Sequence, residues 1–275
     1  MEPYHQKLEI CMNFTKKKFC FTDKNALKNN NFYVYNYRLS GELPRLDILP
    51  SLITVELNSN MLSGTIPFHD SYDWDRLIMF SLERNMFSGN LPKLPNRMHS
   101  TLILTLHMNQ FSDHNLHDWL DELFQKAPAL QILSIYDNPH LTGHLPNSLY
   151  NTNVEMFLAH GCEINGVLPS SNVQGNIRFA TLLQNRLSGA MPSSLIQTAD
   201  VKNTSLMTIF NDSALLLSFD VDTNLKNGLY LQGNRFSESA EWYQIFQNRA
   251  LPKYVSNGER NAKTCTLQKK VILLM

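Results

Sequence analysis

Apolar and polar residues alternate over short stretches of this chain, and the same spacing returns along most of its length. Two successive stretches carry apolar residues at matching positions, Leu52, Val55, Leu57 and Leu62, then Leu77, Phe80, Leu82 and Phe87. Apolar residues two apart form a strand with one buried face. The pattern predicts short strands that stack in parallel and bury their leucines in one continuous core.

Each stretch closes on a recurring phrase, of which Leu62-Ser63-Gly64-Thr65-Ile66-Pro67 is one copy. The apolar residue that opens the phrase marks the repeat, and the markers are Leu39, Leu62, Phe87, Phe111, Leu141, Ile164 and Leu187. Successive markers lie 23, 25, 24, 30, 23 and 23 residues apart. A near-constant period of this length predicts a solenoid.

Aligned on these markers, the copies follow L-x-x-L-x-L-x-x-N/C-x-L and continue with x-Gly-x-Ile/Leu-Pro. This pattern resembles the leucine-rich repeat, and the extension is similar to the plant-type subclass found in receptor-kinase ectodomains and secreted inhibitor proteins. The resemblance covers Phe32 to Phe236. It implies an α/β solenoid, a curved right-handed superhelix with a parallel β-sheet on the concave face. Loops, 3-10 turns and one or two helices are expected on the convex face.

The resemblance assigns one position after each strand to a ladder of side-chain amides. An amide both donates and accepts, so each can bond its own turn and the neighbouring one. Cys162 takes this place in the sixth copy, where we expect a buried structural thiol, although His160-Gly161-Cys162-Glu163 looks catalytic in isolation. The ladder positions are Asn60, Asn85, Asn109, Asn138, Cys162, Asn185 and Asn234.

The 30-residue interval predicts a true helix on the convex side. Ser112 or Asp113 is placed to cap its start, and Pro128 closes it. Its apolar stripe has helical spacing and consists of Leu116, Trp119, Leu120, Leu123 and Phe124.

The interval between Leu187 and Phe236 spans 49 residues, about two periods. Only a weak frame fits it, from Leu206 to Leu216, and we interpret residues 193–225 as a degenerate repeat. An inserted loop is the alternative.

The repeat pattern divides the chain into three parts. Residues 1–28 form an N-terminal flank or incomplete cap, residues 29–240 a solenoid of about eight repeats, and residues 241–275 a capping helix and tail. The helix is expected over 241–246, where Trp242 and Phe246 give an amphipathic pattern. The apolar run 271–275 is either a frayed tail or the stub of a membrane helix.

Charge and cysteine content add limits on partners and compartment. The chain has 24 basic and 24 acidic residues, so no net field attracts it to nucleic acid or to an anionic membrane. No secretory signal is recognised in residues 1–20. The family resemblance nevertheless implies a cell-surface or extracellular protein, attached to a membrane only through a missing anchor. Cys11 and Cys20 are the pair to test for a disulfide.

A solenoid binds partners with its concave sheet. The strand frame directs a strip of apolar side chains to that face, and we expect these residues to contact a protein or peptide partner of a monomeric chain. The alternative is that they pack only against one another. The strip is Met79, Ile103, Ile132, Met156 and Phe179, and polar contacts are expected from Glu83, His107, Tyr136 and His160.

No catalytic signature is present, so we expect a non-enzymatic, receptor-like binding protein without a cofactor. His114 and His117 lie among aspartates, but a metal site needs a further converging ligand, and a solvated helix start is favoured. The rival function is a structural or surface repeat protein that contacts carbohydrate, cell wall or ice.

Overall fold

Short strands dominate the molecule. The computed structural model describes residues 9–14, 17–22, 30–35, 38–43, 46, 51–67, 74–169, 176–177, 179–189, 228–230, 234–236 and 272–274. The strands, numbered in chain order, are β1 Glu9–Phe14, β2 Lys17–Thr22, β3 Asn31–Tyr33, β4 Leu39–Glu42, β5 Thr54–Glu56, β6 Met61–Gly64, β7 Met79–Ser81, β8 Met86–Gly89, β9 Ile103–Thr105, β10 Gln110–Phe111, β11 Ile132–Ser134, β12 Thr142–Gly143, β13 Met156–Leu158, β14 Glu163–Val167, β15 Phe179–Thr181, β16 Arg186–Gly189, β17 Gly228–Tyr230, β18 Arg235–Phe236 and β19 Ile272–Leu274.

The main sheet contains one strand from each repeat. Within the described residues its order is β3-β5-β7-β9-β11-β13-β15-β17-β19. The strands from β3 to β17 are parallel and in register, so that Thr54 pairs with Met79 and Met79 with Ile103. In the strands from β3 to β15, the middle residue, such as Val55 or Phe80, is buried in the leucine core. This is the stacked parallel sheet that the alternating pattern predicts.

The recurring phrase forms a second line of short strands beside the main sheet. β4, β6, β8 and β10 pair in succession, and β12, β14, β16 and β18 form a separate group after the helix. The phrase needs its glycine because the chain turns there with a left-handed backbone, as at Gly64, where φ is 78°. A residue with a side chain rarely adopts this backbone conformation, whereas glycine does so readily.

A helix fills the long interval between β10 and β12. α1 runs from Leu116 to Lys126 and buries Leu116, Trp119, Leu120 and Leu123, as the apolar stripe predicts. The capping prediction is wrong, because Asn115 is the N-cap and makes no side-chain capping bond. Asp113 instead accepts hydrogen bonds from the backbone N–H groups of Leu91 and Asn115, which ties the helix entry to the preceding repeat. A 3-10 helix follows over Asn147–Asn151.

The main sheet passes directly from β15 to β17. Phe179 pairs with Gly228, and on the second line Ser188 pairs with Arg235. β15 and β17 are therefore adjacent in the main sheet. The degenerate repeat expected over 193–225, with an inserted loop as its alternative, lies outside the described residues and stays a prediction.

Both ends of the described chain contribute strands. β1 and β2 form an N-terminal hairpin that pairs with β4 through Asn13 and Phe14. β19 pairs antiparallel with β17, so residues 272–274 form an edge strand of the main sheet. The capping helix expected over 241–246 lies outside the described residues, and the three-part division of the chain stays a prediction. No helix in the described part of the chain combines the length and apolar character needed to cross a membrane.

Candidate binding face

The main sheet separates two apolar clusters. One is the continuous leucine core, and the other lies on the opposite face, which corresponds to the concave face of the predicted solenoid. We call this second face the outer face. Its cluster contains Met79, Ile103, Ile132, Tyr136, Leu158 and Phe179, with Met156 packed at its edge.

The apolar strip is buried in the structure rather than open to solvent. Ile132 is completely buried, Phe179 is 4% exposed, and Met79 and Ile103 are also buried, while Met156 is partly buried. The register contributes to this burial, because Ile132 lies directly between Ile103 and Met156 on the adjacent strands. Parallel strands are about 4.8 Å apart, so side chains in one column touch on both flanks and exclude water between them. In this structure the strip packs as a second core.

Three aromatic rings stack across the strands beside the strip. The rings of His107 and Tyr136 have centroids 4.1 Å apart, and those of Tyr136 and His160 are 4.2 Å apart, with nearly parallel planes. The His107 Nδ1 lies 2.8 Å from the Ser134 hydroxyl, and the His160 Nδ1 lies 2.8 Å from the hydroxyl of Thr181. Burial lowers the pKa of His160. These contacts join neighbouring strands, and they lie on the face where the strand frame predicts His107, Tyr136 and His160.

Glu83 occupies the position equivalent to His107 in the preceding repeat. Its carboxylate accepts hydrogen bonds from the hydroxyls of Ser81 at 2.6 Å and Thr105 at 2.5 Å. The side chain is 1% exposed, and burial raises the pKa of its carboxyl group. The pKa of Glu56, one strand away, is also raised, by partial burial and by the charge of Glu83.

Hydrogen bonds connect the asparagine positions from turn to turn. The Asn85 Oδ1 accepts from the backbone N–H of Leu62, and its Nδ2 donates to the carbonyls of Leu57 and Leu82. In the same way, the backbone N–H of Leu187 donates a hydrogen bond to the Asn234 Oδ1. The other members are equivalent: Asn60, Asn109, Asn138 and Asn185.

Cys162 occupies the equivalent position but makes only the hydrogen bonds in which the ladder side chain is the donor. Its thiol lies 3.5 Å from the Ile135 carbonyl, but sulfur is a weak acceptor. Leu141 is the marker residue of the preceding turn, and its backbone N–H donates to the carbonyl of Asn138 in that same turn instead of to Cys162. Burial raises the pKa of Cys162 to about 12, so the thiol is not a nucleophile at neutral pH.

The outer face is open at its N-terminal end. Tyr33 and Tyr35 are 49% and 44% exposed, and Ile78 is 41% exposed. Tyr33 pairs with Glu56 in the sheet, so an aromatic ring position and a carboxylate position are direct neighbours. These tyrosines are not among the residues predicted from the sequence for this face, because the predicted strip begins at Met79. Extending the same frame back through Phe32 places both tyrosines on the outer face.

The acidic and histidine residues around α1 do not converge on a metal. The His117 Nδ1 lies 3.1 Å from a carboxylate oxygen of Asp118 and 3.7 Å from one of Asp121, at the exposed helix surface. Within the described residues there is no group of three or more histidine, cysteine, aspartate or glutamate side chains placed to hold a metal ion.

The chain is similar to solved ectodomains of plant receptors. A TDR receptor is 20% identical, with a TM-score of 0.55 over 80% of this chain and 38% of that chain. The plant peptide hormone receptor RGFR1, in complex with RGF2, is 21% identical, with a TM-score of 0.50 over 74% and 31%. The ectodomain of the Arabidopsis receptor kinase HAESA, in complex with an IDA peptide hormone, is 22% identical, with a TM-score of 0.51 over 74% and 29%.

This chain spans between 29% and 38% of the length of these three chains. In sequence comparisons, no protein-family model and no curated protein matches it. The stacked strands, the asparagine ladder and the similarity to these ectodomains show that the chain has the leucine-rich-repeat fold, in its plant-type form.

Proposed function

We propose that this chain is a non-catalytic binding protein that recognises a protein or peptide at the N-terminal end of its outer face. The observation that carries the proposal is the exposure of Tyr33 and Tyr35 on a face whose later strands are buried. An exposed aromatic pair on a rigid sheet is typical of an interface centre, because tyrosine offers a large contact area with little loss of conformational freedom.

The charge around these tyrosines favours a basic contact residue. Glu56 forms no ion pair within the described residues, and its pKa is raised by partial burial and by Glu83. A lysine or arginine side chain placed over Tyr33 would offset this carboxylate and bind the ring face through a cation–π interaction. The proposed partner is therefore a protein segment or peptide with a basic residue at its anchor position.

The buried strip supports this surface and does not contact the partner. Met79 pairs with Thr54 on one side, toward the open strands, and with Ile103 on the other. It therefore connects the open strands to the buried strip. Such packing fixes the strands that present the tyrosines. Rigid presentation lowers the entropic cost of binding. The receptor ectodomains with bound peptide hormones provide a fold-level analogy for this proposal.

The test is a phage-displayed library of random peptides panned on the full chain. Enriched peptides are synthesised, and their affinities are measured by calorimetry. We expect enrichment of arginine or lysine, a loss of affinity of at least tenfold in Tyr33→Ser/Tyr35→Ser, and a loss of about tenfold in Glu56→Gln.

Met61 and Met86 give a matched control. Both are 45% exposed, but they lie on the second line of strands. Met61→Ser/Met86→Ser should bind the selected peptides as the wild type does. If this variant loses affinity while the tyrosine variant keeps it, the binding surface is not the outer face.

A further inference from the structure

Strand β3 forms one end of the main sheet. In the described part of the chain it pairs only with β5, in the register that places Tyr33 beside Glu56. The N-terminal hairpin pairs with β4 on the second line of strands. The edge of β3 therefore lies next to the exposed tyrosines of the outer face, and a sheet edge presents backbone groups to which a further strand can bond.

The hydrogen bonds of β3 show which backbone groups point away from β5. The backbone N–H of Val34 donates to the Glu56 carbonyl at 2.8 Å, so Glu56 is the bonded member of its pair with Tyr33. In a parallel pair the bonded residue directs both its groups to the partner strand, and the residue opposite directs both of its own groups to the other side. The N–H and C=O of Tyr33 therefore face the edge. Asn31, two residues earlier in β3, has the same direction.

The side chains of β3 alternate between the two faces of the sheet. Phe32 and Val34 are buried in the leucine core, whereas Tyr33 and Tyr35 are exposed on the outer face. Tyr33 thus offers a free pair of backbone groups and an exposed ring at one position. Peptides that add a strand to a sheet edge use both kinds of contact: main-chain bonds supply affinity, and alternate side chains supply specificity.

We propose that the partner binds as an extended segment that adds a strand to the free edge of β3. This inference rests on the proposed function and specifies its geometry. Neighbouring strands are about 4.8 Å apart, so the Cα atom of a residue opposite Tyr33 in the added strand lies about 10 Å from that of Glu56. A lysine or arginine at this position extends across the Tyr33 ring toward the carboxylate. The basic residue, the ring and the carboxylate form one row across three strands.

Backbone methylation of the bound peptide separates this geometry from a partner that lies flat over the tyrosines. Each residue of a peptide enriched on the full chain is replaced in turn by its N-methyl form, and affinity is measured by calorimetry. In an added strand alternate N–H groups point to β3. Methylation there should weaken binding about tenfold or more, since it removes a hydrogen bond and places a methyl group between the strands.

The intervening positions of the same peptide are the control. Their N–H groups point to solvent, so methylation should change affinity by less than about threefold. Losses that do not follow a period of two, or no loss at any position, would overturn strand addition.

A pair of substitutions at Tyr33 gives the matching test on the protein. Tyr33→Ser removes the ring and keeps the N–H, whereas Tyr33→Pro removes both. Proline is tolerated on an edge strand where the N–H faces away from the sheet, and the Tyr33 N–H does not bond to β5. Tyr33→Pro should bind the peptide about fivefold more weakly than Tyr33→Ser, and equal affinities would contradict the proposal. Thermal melting checks the fold, and if Tyr33→Pro is unfolded, the methylation scan on the wild-type chain decides alone.

The proposed function and the strand addition fail separately in these experiments. If Tyr33→Ser/Tyr35→Ser loses affinity but the methylation scan has no period of two, the binding surface is correct and strand addition is wrong. If the scan alternates while the tyrosine variant and Glu56→Gln keep full affinity, the peptide adds to another edge and both proposals are wrong. Absence of any enriched peptide would also overturn both.

Discussion

The Glu83 carboxylate accepts a hydrogen bond of 2.5 Å from the hydroxyl of Thr105 on the adjacent strand. The contact lies in the buried outer face, where Ser81 donates a second bond to the same carboxylate. Burial of the Glu83 carboxylate outweighs the hydrogen bonds and the nearby Arg84 charge that favour its ionised form, and its pKa is raised above the ordinary 4.5.

The raised pKa predicts a stability that declines with increasing pH. The folded protein holds the Glu83 proton more tightly than the unfolded chain, so the stabilisation is complete below pH 4.5 and is lost as the pH rises through the folded pKa. Glu83→Gln should remove this slope, worth about 1.4 kcal/mol for each unit of pKa difference. Urea unfolding from pH 4 to pH 8 measures it. The exposed Glu42 serves as the control, and equal slopes for Glu83→Gln and the wild type would contradict the prediction.

Truncating one ladder amide should cost far more than a surface substitution. Asn85→Ala leaves the N–H of Leu62 and the carbonyl of Leu57 without their partner, and we expect a loss of about 3 kcal/mol in the free energy of unfolding. Asn85→Cys restores a donor but no strong acceptor, as at Cys162, and should lose less. Chemical denaturation of both variants tests the order, and an equal or larger loss for Asn85→Cys would contradict the prediction.

Gly161→Ala should destabilise the turn before Cys162. The residue has φ of 63°, and an added Cβ would lie 2.2 Å from the Asp137 Oδ1. We expect a loss of about 2 kcal/mol, because both the backbone conformation and the contact are unfavourable for alanine. Gly64→Ala has a similar φ, but its Cβ would meet the Glu42 side chain at 3.1 Å, which can move away. Thermal melting should therefore show the larger loss for Gly161→Ala.

A charge in the buried strip should unfold the protein. Ile132 is completely enclosed on the outer face, so Ile132→Asp places an unpaired carboxylate in an apolar cluster. The expected loss is about 4 kcal/mol or more. Ile132→Val is the matched control and should cost about 1 kcal/mol. Unchanged melting of Ile132→Asp would show that the strip is open to solvent, as the sequence alone suggested.

The sequence supports the repeat far better than it supports the site. The spacing of Leu39, Leu62 and Phe87 predicts the strands, and the N/C position predicts where Asn60 and Cys162 lie, because each depends only on contacts between consecutive turns. The burial of Ile132 and the stacking of Tyr136 on His107 and His160 depend on side-chain packing in the folded chain, which a periodic pattern does not encode. The direct pairing of Phe179 with Gly228 could not be predicted either, because the 49 residues between Leu187 and Phe236 match two periods in length.

The asparagine ladder gives the stack a direction. Each amide reaches back to the turn that precedes it, as Asn85 does to Leu62 and Asn234 to Leu187. Sheet hydrogen bonds are lost when a turn is removed from either end. In the ladder, however, removing a C-terminal turn strips partners from backbone groups of the turn that remains, while removing an N-terminal turn strips partners from a side chain that water can solvate. The two ends of this protein are chemically unequal, and an array built from its repeats would tolerate shortening at the N-terminal end better than at the C-terminal end.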